Sequence, residues 1–282
     1  MAEHIPLNIK VTSQESKQNF INKGVFFPGN VSSIPMMTPN EIILFKQYID
    51  ANSRVLEYGC GGSTLYYSQF VKEWITIEHH TKWYNKIKVS IQLGKDKGFF
   101  KNLKLYHSKV YGIGSRANGT LSKNLPLIDK GLLFPKIDEE LEKVSKNLLS
   151  GRPLNKKNGK IIPLQKTKIK TKDHELHWVY ENICRKEKDD KSSPIEWHYA
   201  IDYINKPLEF IKNPNNGLSV KFDVVLVDGV AREFCAYKAK NILNENGYIL
   251  FHDFSRGIYD GILQYCDMVE QVDSLAILKP KK

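Results

Sequence analysis

Four carboxylates stand where an apolar run ends. Glu57 follows Val55-Leu56, Glu78 follows Trp74-Ile75-Thr76-Ile77, Asp228 follows the run from Phe222 to Val227, and Asp253 follows Tyr248-Ile249-Leu250-Phe251 and His252. Such runs read as buried strands of a parallel sheet. In open α/β sheets ligands bind outside the carboxyl ends of the strands. Acids gathered on that rim can accept hydroxyl donors, hold a cation or take up protons. After Glu57 come Gly59, Gly61 and Gly62, then Ser63 and Thr64, so a strand passes through a tight glycine loop into a helix start. Glycines let a ligand approach the backbone, and the N–H groups that open a helix suit a nucleotide-like ligand. The spacing is not the dinucleotide fingerprint G-x-G-x-x-G, whose third glycine would fall at Thr64.

Glu78 lies nineteen residues after Gly59. A β-α-β nucleotide fold places there the acid that accepts both ribose hydroxyls. His79 and His80 do not form a metal pair, because neighbours in an extended chain point to opposite faces. Asp228, His252 and Asp253 are the candidate catalytic residues, and two chemistries compete for them. In one, His252 or Asp228 is a general base, a role that suits an imidazole titrating near neutrality. In the other, Asp228 and Asp253 ligate Mg²⁺ through oxygen and the ion activates an acceptor hydroxyl. Arg232 either grips a polar acceptor through its fork of donors or pairs with Glu233 at the surface.

These residues need elements to position them. Thr38-Pro39 opens a helix, with Thr38 as N-cap. Strands are expected at 55–57, 74–77, 102–108 (ending in His107 and Ser108), 222–228 and 248–251, and helices at 83–93 and 234–243. A further helix over 196–211 breaks near Pro207, and a short one spans 257–265. Met268 to Val272 and Leu275 to Leu278 are strands separated by two residues, so they pair antiparallel. Residues 1–35 form an irregular segment whose aromatic patch, with Phe26 and Phe27, is a flap over a site or a lid on the core. Residues 36–282 are one α/β domain interrupted by a basic insertion over 109–196. Within the insertion the pattern gives a helix over 138–149, a hairpin over 151–172 and a helix over 174–188 that carries Trp178.

The 282 residues carry a net charge of +11, and the span 112–195 holds eighteen Lys/Arg against eleven Asp/Glu. That bias gives the insertion the composition of a nucleic-acid grip or of a solvated face. Cys60, Cys184, Cys235 and Cys266 stand too far apart for a thiolate zinc motif and read as free thiols of a reducing compartment. No apolar run suffices to span a bilayer, and Met1 to Lys10 contains no signal-peptide core, so the expected location is cytoplasmic.

The loop E-Y-G-C-G-G (57–62), the spaced Glu78, V-D-G-V-A-R-E-F-C-A (227–236), H-D-F (252–254) and L-A-I-L-K-P-K (275–281) together resemble class I S-adenosylmethionine-dependent methyltransferases. The nearest likeness is to an O-methyltransferase-like branch. The resemblance covers about residues 36–108 and 197–280. It implies a Rossmann-like, doubly wound, mostly parallel sheet with an antiparallel last strand. It implies S-adenosylmethionine held by Glu57, Gly59, Gly61, Gly62, Ser63, Thr64, Glu78, His79 and Asp228, with the adenine against His107 or Ser108. Metal-dependent members place acids at the ends of the strands that carry Asp228 and Asp253, which keeps Mg²⁺ as the alternative to a base. The expected acceptor is a sugar hydroxyl of a glycan or small polar metabolite, stacked by Trp197, Tyr199 and other aromatic residues such as Phe26, Phe27 and Trp178. Two other readings remain: a nucleic-acid methyltransferase using the insertion, and a non-catalytic cofactor-binding module.

Overall fold

The computed structural model describes residues 25–26, 34–108, 138–151, 165–170, 176–181, 200–211 and 220–282. In chain order the elements are α1 (Pro39–Gln47), β1 (Arg54–Tyr58), α2 (Gly62–Tyr67), β2 (Glu73–Glu78), α3 (Thr81–Lys95), β3 (Leu103–His107) and α4 (Glu139–Leu148). There follow β4 (Gln165–Lys170), β5 (Leu176–Glu181), α5 (Ile201–Asn205), β6 (Phe222–Val227), α6 (Arg232–Ala239), β7 (Leu243–Phe251), β8 (Cys266–Val272) and β9 (Leu275–Pro280).

Seven strands form one sheet in the order β3-β2-β1-β6-β7-β9-β8. The first five are parallel, and β9 runs antiparallel to both β7 and β8. This is the Rossmann-like sheet with an antiparallel last strand that the resemblance implies. Side chains alternate across it with period two. Leu56, Tyr58, Val225, Val227, Ile249 and Phe251 pack on one face with residues of α4, α5 and α6. Val55, Trp74, Val224, Leu226 and Leu250 pack on the other with α1, α2 and α3. Both faces are covered, which is why the central strands are apolar throughout.

Two expectations change, and the insertion contributes to the core. The stretch 174–188, read as a helix, supplies strand β5, which pairs antiparallel with β4; a β partner overrides the local helical pattern. Of the helix expected over 196–211, the described residues form Ile201–Asn205, followed by a 3₁₀ turn holding Pro207. The 109–196 insertion is not wholly apart from the domain. Its helix α4 buries Leu141 and Leu148 completely in the sheet's own core, and Lys238 of α6 bonds Asp138 and Glu140 at its start.

Val25 and Phe26 pack on the core, and Phe26 stacks on Phe99 at 4.5 Å, so these two residues lie on the core as a lid. Among the described residues no helix is long and apolar enough to cross a membrane.

Leu141→Ala is expected to cost about 2–5 kcal/mol, as for a Leu emptied from a packed interior. Urea unfolding checks this. A change near zero would mean that α4 is detachable from the fold.

Candidate functional site

Parallel pairing aligns the strand tips. Tyr106, Ile77, Tyr58, Val227 and Phe251 form one row across the sheet by register. The next residue of each strand extends it as His107, Glu78, Gly59, Asp228 and His252. Backbone bonds beyond the strands hold this second row: Gly59 N to Ile77 O at 2.8 Å, Asp228 N to Tyr58 O at 3.0 Å, and His252 N to Val227 O at 3.1 Å. Ser108 N likewise donates to Glu78 O at 3.0 Å. The sequence-derived residues therefore converge on one rim.

The glycine loop is needed for this convergence. Gly59 has φ +95°, and a Cβ there would lie 3.0 Å from Gly229 N, so the loops after β1 and β6 touch. A Cβ on Gly62 would strike Ile34 O at 2.1 Å, which shows how closely the segment before α1 covers the loop. A Cβ on Gly61 would meet nothing within 4 Å, leaving that face of the loop open.

Glu57 lies two residues before Gly59, on the sheet face that α2 covers. It was expected to face the cofactor; it is fully buried beneath α2. It accepts from Ser63 Oγ at 2.5 Å, Thr64 Oγ1 at 2.6 Å and Trp74 Nε1 at 2.9 Å. The Ser63 and Thr64 hydroxyls are thus engaged by Glu57, and the three brace the loop from below. Burial pushes the Glu57 carboxyl up to about 7 against the pull of those hydrogen bonds.

Glu78 is the rim acid. Its Oε2 accepts Cys60 N at 3.0 Å and its Oε1 accepts His80 N at 2.6 Å. His79 Nδ1 is 3.0 Å away but poorly angled for a hydrogen bond. Burial raises the Glu78 pKa, yet the His79 ring, the His80 N–H and the Cys60 side chain outweigh it and hold the carboxyl below its ordinary value. An ionised carboxylate has about four lone-pair sites, so each oxygen can accept one further hydroxyl. His107 stacks on Tyr84 at 4.8 Å, with Nε2 3.3 Å from Thr81 Oγ1 and from His79 O.

At the other end of the row His252 Nδ1 lies 3.0 Å from Asp228 Oδ1. With that carboxylate ionised, the proton stays on Nδ1 and Nε2 is left basic. Burial lowers the His252 pKa, but the bond to Asp228 and the charges of Asp228, Asp253 and Glu41 prevail and raise it above the ordinary value. Nε2 faces an open cleft of about 460 Å³ whose lining includes Met36, Met37, Pro39, Glu41 and Asp253.

The Arg232 fork is turned to protein partners. Its Nε donates to Gly229 O at 2.9 Å, Nη1 to His252 O at 2.6 Å and Asp253 Oδ2 at 2.9 Å, and Nη2 to Asp228 O at 3.1 Å. Nη2 also lies 3.2 Å from Asp228 Oδ1. The whole fork is spent on joining the β6 and β7 tips. Asp253 pairs in addition with Arg256 at 2.7 Å. Although burial raises the Asp253 pKa, these arginines and His252 hold it below its ordinary value.

Asp228, His252 and Asp253 each bring a ligand atom within 4.8 Å of the others. That set does not fit Mg²⁺, which requires octahedral oxygen ligation, because one donor is an imidazole and both carboxylates already carry Arg232. Trp197, Tyr199 and Phe27 lie outside the described residues, and Trp178 falls in β5. Glu41 and Ser274 are cleft residues that the sequence reading passed over. The visible signal was Glu41 three places after the Thr38 cap, a capping box that the structure forms.

No family model matches the chain, and no curated protein matches it. Among solved structures it is similar to a methyltransferase-like protein from Silicibacter pomeroyi, with 17% identity, 90% of this chain and 89% of that one covered, and a TM-score of 0.46. It is also similar to a putative O-methyltransferase from Klebsiella pneumoniae (10% identity, 94% and 96% covered, TM-score 0.38). A third is a precorrin-8w decarboxylase from Methanobacterium thermoautotrophicum (11%, 90% and 88%, TM-score 0.37). At that level a neighbour's activity does not carry over to this chain.

Folding raises the Glu57 carboxyl from 4.5 to about 7. Its stabilising increment is therefore complete below the unfolded pKa and disappears as pH rises through about 7. Glu57→Gln removes that dependence, so the Tm difference between the proteins should shift in the variant's favour from about pH 5 to pH 8. Parallel curves would contradict a buried, titrating Glu57.

Proposed function

We propose that the chain is an S-adenosylmethionine-dependent methyltransferase acting on a hydroxyl, with a sugar as acceptor. The observation that carries this reading is the His252–Asp228 contact at 3.0 Å, on the same row of strand tips as Gly59 and Glu78. Glu78 would take the ribose hydroxyls, the Gly59–Gly62 turn the amino-acid end, and His79, His107 and Ser108 the base. When bound, the cofactor would supply an electrophilic methyl group for the acceptor oxygen, with its sulfur as the leaving group.

The protein's part is position and proton management. Asp228 holds the Nδ1 proton of His252 and so keeps the ring oriented, and Nε2 takes the proton of the acceptor hydroxyl. Arg232 ties the Asp228 and His252 backbones together and fixes the distance between them. The cleft supports a sugar over an anionic acceptor. It presents the carboxylates Glu41 and Asp253, which accept hydroxyl donors, beside Met36, Met37 and Pro39, which suit the apolar face of a ring.

The test is methyl uptake from isotope-labelled S-adenosylmethionine into glycan fractions and methyl glycosides. His252→Ala and Asp228→Asn should each lower turnover by about 10²–10⁴-fold, the range for a lost general base. A base must be neutral to act, so kcat/KM should rise with pH through a midpoint above the ordinary 6.5 of histidine, and Asp228→Asn should move that limb down. Full activity in His252→Ala would remove the base from the mechanism. No uptake by folded, cofactor-bound protein would count against the sugar and leave a non-catalytic binding module.

A further inference from the structure

Glu41 stands in the first turn of α1 with only 1% of its surface exposed. Its Oε1 accepts Ser274 N at 2.8 Å and Ser274 Oγ at 2.7 Å, and its Oε2 accepts Thr38 N at 2.7 Å. Donors from α1 and from the β8–β9 turn thus fix one carboxylate at the back of the cleft. Oε2 lies 3.9 Å from His252 Nε2, the nitrogen left over once Nδ1 turns to Asp228. That separation is too long for a direct hydrogen bond and leaves both atoms as acceptors facing one gap.

We propose that Glu41 is a positioning residue for the base: it brackets the His252 ring from the side opposite Asp228, and the acceptor hydroxyl enters between Glu41 Oε2 and His252 Nε2. The identity of the acceptor rests on the methyltransferase reading; the bracketing belongs to the folded chain alone. In the step it serves, the acceptor O–H bond breaks and its proton passes to Nε2. The imidazolium so formed lies between two carboxylates, and its proton leaves to solvent after turnover. An acceptor with an anionic group at this point would be repelled, so the gap selects a neutral, donor-rich partner such as a sugar with a second hydroxyl beside the reacting one.

The charged groups around His252 come from every element packed on it. Asp228 comes from the end of β6, Asp253 from its own loop, Glu41 from α1, and Arg232 from α6, with Arg256 acting through Asp253. Arg232 lies on both Asp228 and Asp253. Among the described residues Glu41 has no arginine on it, so its charge acts on the ring without that offset.

The direct test is a ¹H–¹⁵N NMR titration of the His252 ring in the ligand-free protein, assigned by the signal missing from His252→Gln. Glu41→Gln keeps a residue type that serves a capping box while it removes the charge and one of the two acceptor oxygens. It should lower the His252 midpoint by about one pH unit, tenfold in proton affinity. Glu41→Asp, which withdraws the charge by one methylene, should lower it less. An unmoved midpoint in folded Glu41→Gln overturns the proposal; should that variant not fold, an unmoved midpoint in Glu41→Asp does so. The titration uses neither cofactor nor acceptor, so a failure to methylate sinks the functional reading without touching this result.

Discussion

Strand register is the constraint on which the rest depends. Side chains alternate along a strand, so a slip of one residue would turn every tip to the opposite face. With the observed pairing Glu78, Gly59, Asp228 and His252 share one row, and backbone bonds past the strand ends hold them there. Covering both faces of the sheet makes that register costly to leave, because a slip would drive buried residues such as Trp74, Phe222 and Phe251 into space on the opposite face that other side chains already fill.

The second requirement is that several acids coexist at the tips of β6 and β7. Asp228 and Asp253 would repel each other without Arg232, which meets both and also holds the His252 and Gly229 carbonyls. Removing one member of such a buried ion pair strands the rest, which makes this arginine structural. The backbone is strained here: Ala231 has φ +49° and Asp253 φ +61°, conformations that cost non-glycine residues on the order of 1–3 kcal/mol. The strain aims the Arg232 fork and the Asp253 carboxylate at one another across the two loops.

Much of this was readable in the chain. Continuous apolar runs ending in acids gave the parallel strands, because a strand buried on both faces has no polar side to show. The rim positions Gly59, Glu78, Asp228 and His252 followed from those ends. Glu57 misled because it also ends an apolar run, but it belongs to the penultimate position of β1 and faces α2. Arg232 was undecidable locally, since two of its partners, His252 O and Asp253 Oδ2, are reached only when the β6 and β7 tips adjoin. The 174–188 stretch showed a helical pattern, and only its pairing with β4 reveals a strand. Glu41 announced a helix cap and nothing more; its place beside His252 depends on the β8–β9 turn that delivers Ser274.

The account stands on a nucleoside lying along the row from Glu78 to Asp228. Titration calorimetry with S-adenosylhomocysteine on the wild type and on Glu78→Ala measures this most directly. The predicted result is saturable binding at one site per chain, weakened at least about tenfold in the variant by loss of two charge-assisted hydroxyl bonds. No binding to the folded wild type, or equal affinity in both proteins, would contradict it.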